Sequence, residues 1–319
     1  MNTIFILFLS FVALLWGANH VVVGSSGLAI RLKCSPFIIG LTIVALGTST
    51  PEILTAFISS IKDKNDLTLG NAIGANIANI GLVLGTTMLI KPMLLNYNVL
   101  KNAYPLLMIS MLFIYSLILD GFLSQADGCL FLIACIALIS FFIYLTNETP
   151  NQDLMFKKFK STARSGRSLK ANILSVCMGL LILPVSAKYI ILSTAQLAIW
   201  AGVSELTINL TILAIGTTLP ELVTSITAAL KGEEDIAIGT ILGSNIYNLL
   251  LLMAFPAIIN PSRVNNYILW RDMPVMMSLT LLLIFLNIYY KDKPSRWYGG
   301  ILLLVYCSYI ISIIIRAHA

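Results

Sequence analysis

The chain has 319 residues, of which 58% are hydrophobic and only 11% charged. Soluble domains carry about a quarter charged residues, so this composition excludes a water-soluble fold of such length. The net charge of +6 would suit nucleic acid, but the basic residues are distributed by membrane topology, as shown below.

Ten apolar stretches long enough to cross a bilayer, which takes about 17 to 25 residues each, recur along the chain. They cover about 3–30, 35–61, 67–90, 103–120, 125–145, 170–199, 204–230, 235–259, 272–290 and 296–316. The runs are continuously apolar instead of alternating, which selects helices over a membrane β-barrel. The first stretch lacks a basic segment ahead of it, its first charge being Arg31, and reads as a retained span. His20 lies within it, where a packed or hydrogen-bonded ring is a simpler reading than a proton relay. The second stretch carries Gly47-Thr48-Ser49-Thr50-Pro51-Glu52, and the third carries Gly70, Gly74, Asn76 and Asn79. Residues 146–170 form the only long polar stretch and read as a flexible connector. The seventh stretch carries Gly216-Thr217-Thr218-Leu219-Pro220-Glu221, and the eighth carries Gly239, Gly243, Asn245 and Asn248. Helix capping accounts for Asp66 and Asp235 at the starts of the third and eighth stretches, and solvated or capping roles account for Asp120, Asp127 and Asp272. Lys188, within the sixth, snorkels or pairs locally.

With the N-terminus placed outside, fourteen Lys and Arg fall in inner loops, five in outer loops, and Lys188 within a span. That asymmetry orients membrane proteins and removes the reason to invoke nucleic acid. The five cysteines (Cys34, Cys129, Cys135, Cys177 and Cys307) are scattered without metal-ligand spacing and read as packing residues.

Residues 42–85 align with 211–254 at a constant offset of 169 without a gap. Identical pairs include Gly47/Gly216, Thr48/Thr217, Pro51/Pro220, Glu52/Glu221, Asp66/Asp235, Gly74/Gly243, Asn76/Asn245 and Asn79/Asn248. Chance matches of Leu and Ile do not align glutamates, prolines and asparagines in one register. The offset spans five expected helices, an odd number, so the second copy enters the membrane from the opposite face. The expected architecture is an all-α integral membrane protein of ten transmembrane helices in two inverted five-helix repeats. The repeats occupy 1–146 and 170–319, joined by a cytoplasmic connector over 147–169. Such symmetry is typical of secondary transporters that bind substrate at the midplane.

A carboxylate in mid-membrane costs a few kcal/mol and needs a partner or a wet cavity. Glu52 and Glu221 at equivalent positions therefore point to a shared cation site. Pro51 and Pro220 lack amide hydrogens and crowd the carbonyls of Gly47 and Gly216, which offers backbone oxygens to an ion. Thr48 and Glu52, four apart, are expected on one helical face. The glycine pairs are expected to bring helices close. Asn76 and Asn245 read as interhelical hydrogen-bonding groups, and Asn79 and Asn248 add two further amides to the candidate set. The set is all oxygen, which suits hard cations such as Ca²⁺, Na⁺ or Mg²⁺.

These motifs resemble the two α-repeats of the cation/calcium exchanger superfamily, most closely the sodium/calcium exchangers and their short prokaryotic relatives. The resemblance implies export of Ca²⁺ against Na⁺ entry by alternating access. It makes Glu52 and Glu221 the principal Ca²⁺ ligands, with Thr48 and Thr217 around the same centre. Ala45 and Ala214 would offer backbone carbonyls, and Ser49 and Thr218 hydroxyls near the ions. Asn79 and Asn248 would complete the site, and Ser244 would serve Na⁺. Ala75 stands where some relatives have serine, and Asn248 where some have aspartate, so the coupling ion stays open between Na⁺ and H⁺. A cation channel and a metal-dependent membrane enzyme are rivals from other classes. No cofactor beyond the transported ions and no obligate protein partner is expected, and the compact chain fits a bacterial-type inner membrane.

Overall fold

The computed structural model of the chain describes residues 2–93, 97–147, 167–202, 214–289 and 296–318. The expected connector lies outside these residues except at its ends, as does 204–213 of the seventh stretch.

The chain is helical almost throughout. Helix α1 spans Asn2–Leu32. The second stretch is broken into α2 (Pro36–Ile39), a π-helical turn (Gly40–Val44), α3 (Ala45–Thr48) and α4 (Thr50–Ile61). Ser35 caps its start, accepting from the Phe37 amide, with Pro36 in the first turn where no donor is missed. Next come α5 (Asn65–Ala78), a π-helical turn (Asn79–Leu84), α6 (Gly85–Ile90), α7 (Tyr97–Ile118) and α8 (Gln125–Asn147). The second half begins with α9 (Leu169–Trp200), capped by the Ser168 side chain on the Ala171 amide. It continues through α10 (Ala214–Thr217), α11 (Leu219–Leu230) and α12 (Glu234–Ile246) to a π-helical turn at Tyr247–Leu252. Helix α13 (Met253–Ile259), a π-helical turn (Ile268–Asp272), α14 (Met273–Tyr289) and α15 (Arg296–His318) complete it. Among the described residues, seven helical runs are long and apolar enough to cross a membrane, and an eighth is formed if α2–α3 and α4 act as one span bent by 49°. Two shorter apolar helices, Ala103–Ile118 and Leu219–Leu230, stand at the fourth and seventh stretches.

The asparagine-bearing spans lie at the centre. In the most apolar 18 residues of each span, the buried share is 94% for Glu234–Ile259 and 72% for Asn65–Ile90, against 33% for Thr3–Leu32 and 22% for Arg296–Ile315. Glycine sets the closest approaches. A Cβ on Gly243 would stand 2.6 Å from the Ala45 Cβ, and one on Gly40 2.6 Å from the Ile236 carbonyl oxygen. Thus α12 rests backbone-on-backbone along the segment leading to the first break. Gly70 and Gly74, expected to work likewise, meet nothing among the described residues. The sequence reading missed a second glycine seam, between α1 and α9. There a Gly179 Cβ would meet the Gly17 carbonyl oxygen at 2.6 Å, and a Gly24 Cβ the Asn172 carbonyl oxygen at 2.9 Å.

The turns after the two broken helices match at the same offset. Lys64 N donates to Ser59 O at 2.9 Å, and Glu233 N donates to Ala228 O at 2.9 Å. Asp63 and Gly232 hold positive φ of 56° and 76° at corresponding places, the left-handed close of a helix C-terminus. The loops also segregate. On one face, Asn260 Nδ2 donates to Asp63 Oδ1 at 2.6 Å, Asn65 Nδ2 to Ser262 Oγ at 2.8 Å. There β1 (Phe122–Leu123) pairs antiparallel with β2 (Ser262–Arg263), two short strands the all-helical reading did not anticipate. On the other face, the Arg31 guanidinium donates to the Arg167 carbonyl at 3.0 and 3.2 Å, and Ser26 to Glu233 at 2.8 Å.

Candidate cation site

Both halves break their helix one residue before the proline's turn begins. Ser49 sits at φ −83°, ψ 5° and Thr218 at φ −90°, ψ 4°. Pro51 and Pro220 then occupy the first turns of α4 and α11, and Glu52 and Glu221 follow. The break is thus where the missing proline donor demands it. Each carboxylate rides in the first turn of a new helix, whose exposed amides favour negative charge.

Glu52 and Glu221 are 3% and 2% exposed, and one oxygen of each, Oε2, has no hydrogen-bond partner. The two carboxylates lie near enough to repel one another. Ser49 ties the halves together: its hydroxyl lies 3.2 Å from Glu221 Oε1 and 2.9 Å from Ser244 Oγ, all of them buried. Thr48 departs from expectation. The break separates it from the face of Glu52; its hydroxyl donates to Ala45 O at 3.3 Å and lies beside Glu221 instead. The Ala45 carbonyl, expected as a ligand, accepts both from Thr48 and from the Ser49 amide at 3.0 Å. Ala214 begins α10 at the corresponding point. Thr217 is half-buried and Thr218 buried, each engaged with neighbours.

The asparagines divide the work differently from the sequence reading. Asn79 Nδ2 donates across the halves to Asn245 Oδ1 at 3.1 Å, leaving Asn79 Oδ1 without a partner. Asn248 Oδ1 is likewise buried and unpartnered. Asn76 was expected to bond a neighbouring helix, yet donates to Ala72 O on its own helix at 2.8 Å. Asn79 and Asn248 open or enter the π-helical turns Asn79–Leu84 and Tyr247–Leu252. Such a turn adds a residue to the helix and is common at functional sites, and no sequence motif announced it. Buried acceptors are almost always partnered. Buried carboxylate and amide oxygens left bare are what a hard cation would satisfy. Among the described residues no cluster of three or more His, Cys, Asp or Glu offers an alternative metal site.

The residues outside the site resolve simply. The His20 ring stacks on Trp16 with centroids 3.7 Å apart and bonds the Trp16 carbonyl through Nδ1. Asp127 accepts from Ser124 at the start of α8. Asp272 is not a solvated end: it is buried, paired with Arg271 and bonded by Tyr309. The N-cap positions before Asp66 and Asp235, Lys64 and Glu233, make no side-chain cap bond. Of the cysteines only Cys135 is buried in packing; Cys129, Cys177 and Cys307 lie on the surface of the bundle.

The family model described as sodium/calcium exchanger protein matches residues 2–146 and again 171–315. The two matches are displaced by the same 169 residues as the repeats. Among similar proteins, "Putative antiporter CaxA" of Alkalimonas amylolytica is 36% identical over 309 residues, 96% of this chain and 97% of its own. "Inner membrane protein YrbG" of Escherichia coli strain K12 is 33% identical, covering 93% and 92%. "Sodium/calcium exchanger MaX1" of Methanosarcina acetivorans is 30% identical, covering 96% and 97%. A solved structure of the sodium-calcium exchanger NCX_Mj, soaked with Na⁺ and Ca²⁺, superposes with a TM-score of 0.82 at 29% identity over 98% of both chains.

Proposed function

The chain belongs to the sodium/calcium exchanger protein family, and from that premise we propose that it exchanges Ca²⁺ for Na⁺ at a site shared by its two halves. As a member it is a multi-pass membrane transporter and not an enzyme. One observation carries the finer reading: Glu52 and Glu221 are buried, in helices broken at corresponding residues, each with an oxygen left bare.

Two carboxylates neutralise one Ca²⁺, and Asn79 Oδ1 and Asn248 Oδ1 add neutral oxygens toward the six to eight that Ca²⁺ takes. Ser49, Ser244, Thr48, Thr217 and Thr218 surround them, and Ala45 and Ala214 stand at the same two helix ends. Na⁺ entering the same oxygens displaces Ca²⁺ by sharing its counter-charge, so one ion's binding opposes the other's. Ten spans in two inverted five-helix repeats are supported by the broken second span, the shorter helices at the fourth and seventh stretches, and the loops sorted onto two faces. The N-terminus is placed outside and the connector over 147–169 on the cytoplasmic side, following the basic residues. A bacterial-type inner membrane follows the description of the E. coli relative.

Proton coupling is the second reading, favoured by Ala75 and Asn248, which withhold a hydroxyl and a carboxylate from Na⁺. Radiolabelled Ca²⁺ uptake into proteoliposomes separates the two. Uptake driven by internal Na⁺, absent with choline and lost in Glu52→Gln and Glu221→Gln, supports sodium exchange. Uptake following an imposed pH gradient selects protons, and no uptake in either case rejects calcium as substrate.

A further inference from the structure

The two halves are alike in sequence but differently clothed. Along α11, the face of Glu221 continues through Thr224, Ser225, Ala228 and Ala229, all fully buried. Residues three, four, seven and eight apart share a helical face, and these side chains are all small. The hydroxyls of Thr224 and Ser225 have no partner, although buried polar groups nearly always find one. On α4 the corresponding Thr55 is exposed. The cause lies in the neighbouring pair of helices. Helix α1 packs along α11, whereas its counterpart α9 makes no comparable contact with α4 among the described residues. The difference is confined to that position and to α1: Ala56, Ser59 and Ser60, the counterparts of Ser225, Ala228 and Ala229, are buried as well.

The cover is fastened by a bond with no counterpart. Ser26, near the end of α1, donates to Glu233 Oε1 at 2.8 Å, and Glu233, in the loop closing α11, is 8% exposed with Oε2 unpartnered. At the matching positions of the other half stand Ala195 and Lys64, which cannot form such a bond. From Glu221 to the end of α11 at Leu230 the helix rises about 14 Å, close to half the thickness of a bilayer core.

We propose that Thr224 and Ser225 line the route by which the cation leaves Glu221 toward the face carrying Glu233, and that the Ser26–Glu233 bond is a one-sided latch that keeps this route shut. Opening of the latch lets α1 part from α11, hydrates Glu233 and gives the two bare hydroxyls to water and ion. The latch rests on the exchanger reading above, but its test does not require exchange.

The experiment places Thr224→Cys in a chain whose five natural cysteines are replaced and that still elutes as a single folded species. Vesicles are treated with a membrane-impermeant thiol reagent, the face carrying Glu233 being identified by labelling of the exposed Lys231→Cys. Labelling of Thr224→Cys from that face should be slow with the latch intact. It should rise about tenfold in Ser26→Ala, the order of a lost hydrogen bond to a charged group. Glu233→Ala should act in the same way, which keeps the test open if Ser26→Ala does not assemble, and Glu233→Gln, retaining an acceptor, should stay near the parent. Labelling that is absent in every variant overturns the route. Labelling equally fast with and without Ser26 overturns the latch. A chain that labels as expected yet takes up no Ca²⁺ leaves the latch standing and removes the exchanger.

Discussion

Glu221→Gln removes one charge and little else. The amide keeps the shape of the side chain and an oxygen for Ser49, which lies 3.2 Å from Glu221 Oε1. A carboxylate oxygen at about 2.5 Å from Ca²⁺ attracts it by about 13 kcal/mol at an effective dielectric of about 20. Dehydrating two ions costs several kcal/mol each and offsets most of this. If about 3 kcal/mol survives, Ca²⁺ affinity falls by more than about 100-fold. Glu52→Gln should match it, because both carboxylates are equally buried at corresponding places. Titration calorimetry with Ca²⁺ on the detergent-solubilised protein reads the affinity directly. Thermal unfolding without Ca²⁺ should show either variant at least as stable as the parent, since a like-charge repulsion in a buried site has been relieved. Ca²⁺ affinity unchanged within about fivefold in either variant would refute a site shared by the pair. A loss accompanied by a lowered Tm would show unfolding instead of a missing ligand.

Ser49→Ala strips the hydroxyl that bridges Glu221 and Ser244, so the empty protein should lose about 1.5–3 kcal/mol and unfold at lower temperature; an unchanged melting curve contradicts the bridge. Gly243→Ala drives a Cβ to 2.6 Å from the Ala45 Cβ and 2.9 Å from the Leu41 carbonyl carbon. Overpacking there costs about 1–3 kcal/mol and spreads α12 from the broken helix, so Ca²⁺ uptake should fall sharply while expression in the membrane persists. Burial pushes the Glu233 carboxyl above its ordinary 4.5; the Ser26 bond opposes this, Asp235 adds to it and Lys231 subtracts. A carboxyl raised in the closed form binds a proton on closing, so acidification from neutral pH toward 4.5 favours the shut route and rising pH weakens it. Labelling of Thr224→Cys, normalised to Lys231→Cys, should therefore slow as pH falls, and Glu233→Gln should flatten the profile.

Much was legible in the sequence because the membrane writes its constraint directly into composition. Long apolar runs announce helices, and two glutamates with prolines one residue ahead, repeated at 169 residues, announce a carboxylate at corresponding places inside each half. What escaped was set by contacts between distant residues. The pairing of Thr48 with Glu52 assumed a continuous helix, and the break at Ser49 turned Thr48 toward Glu221 of the other half. The π-helical turns at Asn79 and Tyr247 carry no local signature, because an inserted helical residue is stabilised by what packs against it. Asn76 and Asn245 are identical in sequence, yet one bonds its own helix and the other the opposite half. The sequence by itself determined the helical membrane class and the pair of carboxylates at corresponding places. Only the tertiary structure decided which of the two broken helices is packed by a long neighbour, since a repeat encodes two equivalent surfaces and a single packing of α1 against α11 breaks that equivalence.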